Sequence, residues 1–235
     1  MTIVTPTSRR RRRRTDLRQL EPEEIYQLAE RLQGRPVPGV RMSEAEFEAW
    51  ALNRVNAEWV NGEVVLMAPA SDEHDDLDLW LSTLIRMFIE EHDLGVIRHN
   101  IFVRFASQRR RRVPDLFFVR SDRVGLLKPT YLDGSPDLII EIISPDSQSR
   151  DRREKYRDYE KAGVREYWII DPLSKTVEAY ALDGRKFRLI EEDADGGIRS
   201  MALANFRLKP EWLWRRPLPK VATILKQMRS RSPRR

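Results

Sequence analysis

The spacing of apolar and polar residues along the chain changes several times, and each change marks an element. Residues 21–33 read as a short helix with an acidic start and Pro22 near its first position, where a missing N–H costs nothing. The stretch Gly34 to Gly39, with Pro36 and Pro38, reads as a linker. Ser43-Glu44-Ala45-Glu46 has the spacing of a capping box and predicts a helix from there to Asn56. Glu58-Trp59-Val60 and Glu63 to Met67 flank Asn61-Gly62, the pattern of a hairpin around a type I′ turn. Beyond Pro69 the period becomes 3.6. Leu77, Leu81, Leu84, Ile85 and Phe88 share one face of a helix over 73–93, which Gly95 stops.

The middle of the chain reads as strands. Val96 to Phe105 alternates as one strand with Ile97, Ile101, Val103 and Phe105 on one side, and Val113 to Val119 is a second. Asp137 to Ile143 is apolar almost throughout, as a strand covered on both faces should be. A helix from Ser149 to Ala162 ends at Gly163, and a strand from Glu166 to Ile170 is halted by Asp171-Pro172. Thr176 to Leu182 and Lys186 to Glu191 form a hairpin around Asp183-Gly184, and 219–229 suits a final short helix. This order predicts an α/β or α+β fold with a mixed central sheet flanked by helices.

Composition then bounds the class. The 235 residues suffice for one medium domain with tails. The expected division is a basic tail over 1–16, an N-terminal helix and linker over 17–41, the main domain over 42–208 and a basic C-terminal tail over 209–235. The chain has no cysteine, which excludes disulfides and thiolate metal sites and fits a cytoplasmic protein. No apolar run approaches the roughly 18 residues that span a bilayer, so no membrane association is expected. No apolar segment of a secretory signal follows Arg14. The formal charge of +6 is unevenly spread. Six arginines at 9–14 and eight Lys or Arg in 215–235, with no acid in either segment, leave residues 15–214 at −8. The basic ends are either solvated charge runs or arms for nucleic-acid phosphates.

Glu141 carries the strongest chemical signal. A carboxylate inside a doubly covered strand is costly unless paired or bound to metal. Asp115 follows Pro114 at the start of the Leu116-Phe117-Phe118-Val119 strand and alone reads equally as a turn residue. Together, two carboxylates on adjacent strands can converge on one hard cation such as Mg²⁺, which needs few protein ligands. Lys155 shares a helix face with Asp151, Tyr159 and Ala162 and is expected to turn toward the sheet, the alternative being an ordinary surface lysine. His74, among Asp72, Glu73, Asp75 and Asp76, is either a donor or general base near the site or a surface histidine. The run Arg109, Arg110, Arg111 and Arg112 precedes Val113-Pro114-Asp115 and reads as an exposed loop or as a phosphate contact.

The combined pattern resembles the Uma2 family of restriction-endonuclease-like proteins. The resemblance rests on Pro114-Asp115, on Pro136-Asp137-Leu138-Ile139-Ile140-Glu141-Ile142-Ile143-Ser144-Pro145, on Asp151, Lys155, Tyr156 and Tyr159, and on Gly163-Val164-Arg165-Glu166-Tyr167-Trp168-Ile169-Ile170-Asp171-Pro172. Glu58 before Asn61-Gly62-Glu63, then Met67-Ala68-Pro69 and His74, add to it, and it spans residues 42–208. It implies the PD-(D/E)xK nuclease fold, Asp115 and Glu141 as ligands of Mg²⁺ or Mn²⁺, and Glu58 as an extra acidic residue of the site. The position two after Glu141, lysine in the plain nuclease pattern, is Ile143 here, and the resemblance moves that role to Lys155. The implied activity is metal-dependent hydrolysis of nucleic acid, DNA above all, for which a homodimer would suit cleavage of both strands. The competing expectation is a catalytically silent module that binds nucleic acid or protein on the same fold.

Overall fold

A computed structural model describes residues 16–51, 56–144 and 151–231. Helix α1 (Pro22–Leu32) begins where expected, with Glu21 and Glu24 forming a reciprocal capping box and Pro22 in the first turn. The segment read as a linker is instead strand β1 (Pro36–Arg41), antiparallel to β3 (Glu63–Leu66). β1 is an edge strand with an irregular register, the setting in which proline's missing N–H is tolerated. Helix α2 (Glu44–Ala51) carries the predicted Ser43–Glu46 box, but residue 57 already lies in β2 (Ala57–Val60), so this helix does not reach Asn56. Asn61 and Gly62, at φ 51° and 90°, turn β2 into β3 as the Asn-Gly signal requires.

Helix α3 (Asp72–Glu91) is capped by Ser71, whose hydroxyl accepts from the His74 amide. The single strand expected over 96–105 is two strands in different sheets, β4 (Gly95–His99) and β5 (Phe102–Phe105). Asn100, at φ 50°, breaks the run, so apolar alternation on either side of it faced two different partners. Two further short strands, β6 (Arg110–Arg112) and β8 (Tyr131–Asp133), were not legible as strands. The remaining elements follow the sequence closely. They are β7 (Leu116–Arg120), β9 (Leu138–Ile142), a π-helical turn (Asp151–Lys155) leading into α4 (Tyr156–Ala162), β10 (Glu166–Asp171), β11 (Thr176–Asp183) and β12 (Lys186–Leu189). The small pair β13 (Ile198–Arg199) and β14 (Arg207–Leu208) and helix α5 (Val221–Arg231) complete the chain.

The described strands form two six-stranded mixed sheets, β12-β11-β10-β9-β7-β4 and β1-β3-β2-β6-β5-β8, beside the β13-β14 pair. In the first, β9 and β10 are parallel and the other neighbours antiparallel. One face of this sheet, with Leu116, Phe118, Leu138, Ile140, Ile142 and Trp168, packs on α3 and α5. The other, with Phe117, Val119, Ile139, Ile143 and Tyr167, meets Val103, Phe105 and Leu132 of the second sheet and Tyr159 of α4. A third cluster joins α1 and α2 to β1, β2 and β3, so residues 17–41 are packed against the domain rather than tethered to it.

The boundary expected at 208 also falls inside packed structure. Ile224 and Leu225 of α5 are buried against α3, and the Trp80 indole N–H donates to the Pro219 carbonyl at 2.7 Å. The arginine run 9–14 lies outside the described residues. We expect Leu225→Ala to cost about 2–3 kcal/mol in urea denaturation, as for a core leucine at a packed helix; no change in midpoint would restore the tail assignment.

Candidate functional site

β9 delivers Glu141 to the site by alternation. Ile140 and Ile142 face α3, so Glu141 faces the opposite side with Ile139 and Ile143, toward α4. The β7–β9 ladder pairs Leu116 with Ile140, and Asp115 stands one residue beyond that pair, on the Glu141 side. The Asp115 carboxylate accepts from the Ile142 amide at 2.6 Å, which fixes it beside the strand that carries Glu141.

Glu141 is buried, and its charge is compensated by α4. Lys155 Nζ donates to Oε2 at 2.7 Å and the Tyr159 hydroxyl donates to Oε1 at 2.6 Å. The face shared by Lys155 and Tyr159 therefore does turn inward, and Lys155 is only 1% exposed. Burial, and then the charge of Glu141, hold the Tyr159 phenol well above its ordinary range, so it remains a proton donor.

Behind Lys155 lies an ionic network that the sequence did not reveal. Glu58 is fully buried, accepts from Arg112 at 2.7 Å and from the Val113 amide at 3.3 Å, and lies 3.7 Å from Lys155. Arg112 also donates two hydrogen bonds to Asp158, which Arg110 reaches at 3.2 Å. Three carboxylates, Glu58, Glu141 and Asp158, are thus matched by three cations, Arg110, Arg112 and Lys155. Burial alone would depress the Arg112 guanidinium, but the charges of Glu58 and Asp158 outweigh it and raise its pKa.

Two expectations are corrected here. Arg110, Arg111 and Arg112 are not a phosphate-binding loop. Arg111 and Arg112 are buried in β6, and Arg111 pairs with Glu44 and Glu48 while its guanidinium lies over the Tyr131 ring. Only Arg109 is exposed, with its guanidinium 5.9 Å from the Trp59 ring centroid. Glu58, expected as an extra acidic residue of the site, is buried 3.7 Å from Lys155 and does not line the cavity.

The cavity itself, about 300 Å³, is lined by Asp115, Glu141, Ser144 and Lys155 on the sheet side and by Ser71, His74, Asp75 and Asp78 on α3, with Asn100 from the β4–β5 break. His74 is not a surface histidine; its Nε2 lies 3.4 Å from Asp115 Oδ2. Burial would lower its pKa, but the hydrogen bond and charge of Asp115, with Asp78 adding to them, raise it. Asp78 was not singled out from the sequence, where it is one of five acids in a single helix start. Burial, reinforced by the Asp115 charge, pushes its carboxyl up to about 6.

The donor set suits a cation. Three acidic side chains besides the paired Glu141 line one small cavity, and two buried atoms of its lining residues, His74 Nδ1 and Asp78 Oδ1, have no hydrogen-bond partner among the described residues. Asp115 and Glu141 are the two carboxylates that the neighbouring strands β7 and β9 bring to this cavity. No group of three or more His, Asp or Glu among the described residues is arranged as a metal cage. An ion here would complete its shell with water and substrate oxygens, as Mg²⁺ commonly does.

The mixed sheet with its flanking helices defines a nuclease-like α+β protein. It matches the crystal structure of "a putative nuclease belonging to DUF820" from Anabaena variabilis with a TM-score of 0.58, at 18% identity, over 67% of this chain and 89% of that one. The model of the Uma2 family, described as "Putative restriction endonuclease", matches residues 44–211, and the chain belongs to that family. Two relatives come from Synechocystis sp.: "Uncharacterized protein slr1290" is 23% identical over 145 residues, 61% of this chain and 75% of the relative. "Uncharacterized protein sll1609" is 25% identical over 143 residues, 58% of this chain and 77% of the relative. No helix among the described residues is long and apolar enough to cross a membrane.

Arg112→Ala strips a partner from two buried carboxylates and should cost about 3–5 kcal/mol, whereas Arg109→Ala should stay within about 0.5 kcal/mol; urea midpoints compare the two. Asp78 gives a pH signature. Its carboxyl titrates higher in the folded than in the unfolded chain, so the folded state binds the extra proton and stability falls as pH rises from about 4 through 6. Asp78→Asn should remove that component, about 2 kcal/mol, from the difference between melting curves at pH 4.5 and 7.5; identical pH dependence in both proteins would refute the assignment.

Proposed function

We propose that the chain is a divalent-metal-dependent endonuclease that hydrolyses phosphodiester bonds in nucleic acid, with DNA as substrate. The observation that carries this reading is the meeting of Asp115, Glu141 and Lys155 in one acidic cavity on a nuclease-like fold. Membership of a family whose description reads "Putative restriction endonuclease" supports it. Asp115 and Glu141 would hold Mg²⁺ or Mn²⁺, which supplies a water of lowered pKa and neutralises charge on the phosphoryl oxygen.

The protein's own residues would do the rest. Lys155 sits as a cation between Glu141 and Glu58, so it donates hydrogen bonds and would stabilise charge building on the scissile phosphate rather than take up a proton. Tyr159 and Lys155 fix the Glu141 carboxylate from behind, which leaves its rotamer few alternatives. His74 holds Asp115 from α3 as the Ile142 amide does from β9.

One observation favours a second reading. Both Glu141 oxygens already accept hydrogen bonds from the protein, which is also how a site would look if the carboxylate had become purely structural. On that reading the fold binds nucleic acid or protein without cutting. Incubating the purified protein with supercoiled plasmid and Mg²⁺ or Mn²⁺ separates the two. We expect nicking that Asp115→Ala and Glu141→Gln each reduce at least about 100-fold, the usual scale for losing a group that stabilises developing charge. Cleavage that survives both substitutions would overturn the endonuclease reading, and retained DNA binding with no cleavage by the native chain would favour the silent module.

A further inference from the structure

Asp78 has no role in the reading above, yet its placement is anomalous. It stands one helical turn after His74 on α3 and is 8% exposed. Its Oδ1 is buried and without a hydrogen-bond partner among the described residues. The His99 ring nitrogen Nδ1 lies 3.7 Å from Oδ2, beyond hydrogen-bond range. Lys155, the cation that faces the same cavity, is held by Glu141 and Glu58. An ionised carboxylate in this state is strongly unfavourable, and the neighbouring turn of the helix carries leucines at 77 and 81.

A positive ligand that enters the cavity would compensate it. Asp78 does not complete a three-residue cage with Asp115 and His74, since no such cage exists among the described residues. A hard cation that keeps most of its waters offers what remains: O–H donors carried on a positive centre. Such donors would serve the Asp78 carboxylate and relieve its repulsion with Asp115 at once.

We propose that Asp78 is an additional acidic residue of the cation site, accepting hydrogen bonds from the water shell of an ion held by Asp115 and Glu141. The inference rests on the metal-dependent reading above. It assigns α3 a part in cation binding and makes the helix wall, not only β7 and β9, responsible for affinity.

The test is Mn²⁺ binding by the purified full chain at pH 8, without nucleic acid, followed by calorimetric titration and by melting temperature. Asp78→Asn should weaken Mn²⁺ binding about tenfold, the lower end of what loss of a group behind the ligands costs. It should raise the melting temperature without metal, because an uncompensated charge is gone, and shrink the rise that Mn²⁺ produces. Asp76→Asn, an exposed acid on the same turn, should leave the affinity within twofold. Native affinity in Asp78→Asn would overturn the proposal, as would equal losses in the two variants, which would mean only general acidity. Weaker binding with a lower melting temperature in the absence of metal would make Asp78 a structural residue and overturn it too. If the native chain binds no Mn²⁺, the proposal falls together with the metal-dependent reading, whereas unchanged binding in Asp78→Asn alone leaves that reading standing.

Discussion

The structure is organised around the burial of one carboxylate. Glu141 sits in a strand covered on both faces, where an unpaired charge would cost more than the strand could recover. Its two oxygens are answered by Lys155 and Tyr159, both from the helix that follows. That requirement fixes the position of α4 against the sheet, and α4 in turn supplies Asp158 to the buried arginines of β6. The site, the helix and the contact between the two sheets thus depend on one another.

This dependence explains why a run of arginines is buried beside an acidic site. Arg110, Arg111 and Arg112 lie on β6, between β2 and β5 in the second sheet, and their carboxylate partners come from α2, β2 and α4. Each element contributes a charge that it could not bury alone. Removing one partner leaves the others exposed to a low-dielectric interior, so the network behaves as a unit. It also keeps Lys155 aimed at Glu141 rather than at solvent.

The cavity has the opposite character. Its walls gather Asp75, Asp78 and Asp115 near His74. A phosphate would be repelled from such a surface unless a cation came first. The paired charges behind the site and the acidic lining within it therefore differ in role: one holds the residues in place, the other is the feature on which the proposed cation site rests.

The amino-acid sequence determined most of the elements through short-range physics. The Asn61-Gly62 turn, the capping boxes at Glu21 and Ser43, the amphipathic face of α3 and the doubly apolar β9 are each set by residues within a few positions of one another. The anomaly of Glu141 was legible for the same reason, because a charge in an apolar run stands out without knowledge of its neighbours. Only the tertiary structure decided what depends on distant partners. Whether Arg112 meets solvent or Glu58 and Asp158 turns on sequence separations of about fifty residues. The split of β4 from β5 turns on which sheet each half joins, and α5 packs on α3 across more than a hundred residues. Asp78 looked like one more acid in a charged helix start until folding turned it into the cavity, since a side chain's charge is read locally but its burial is set by everything packed around it.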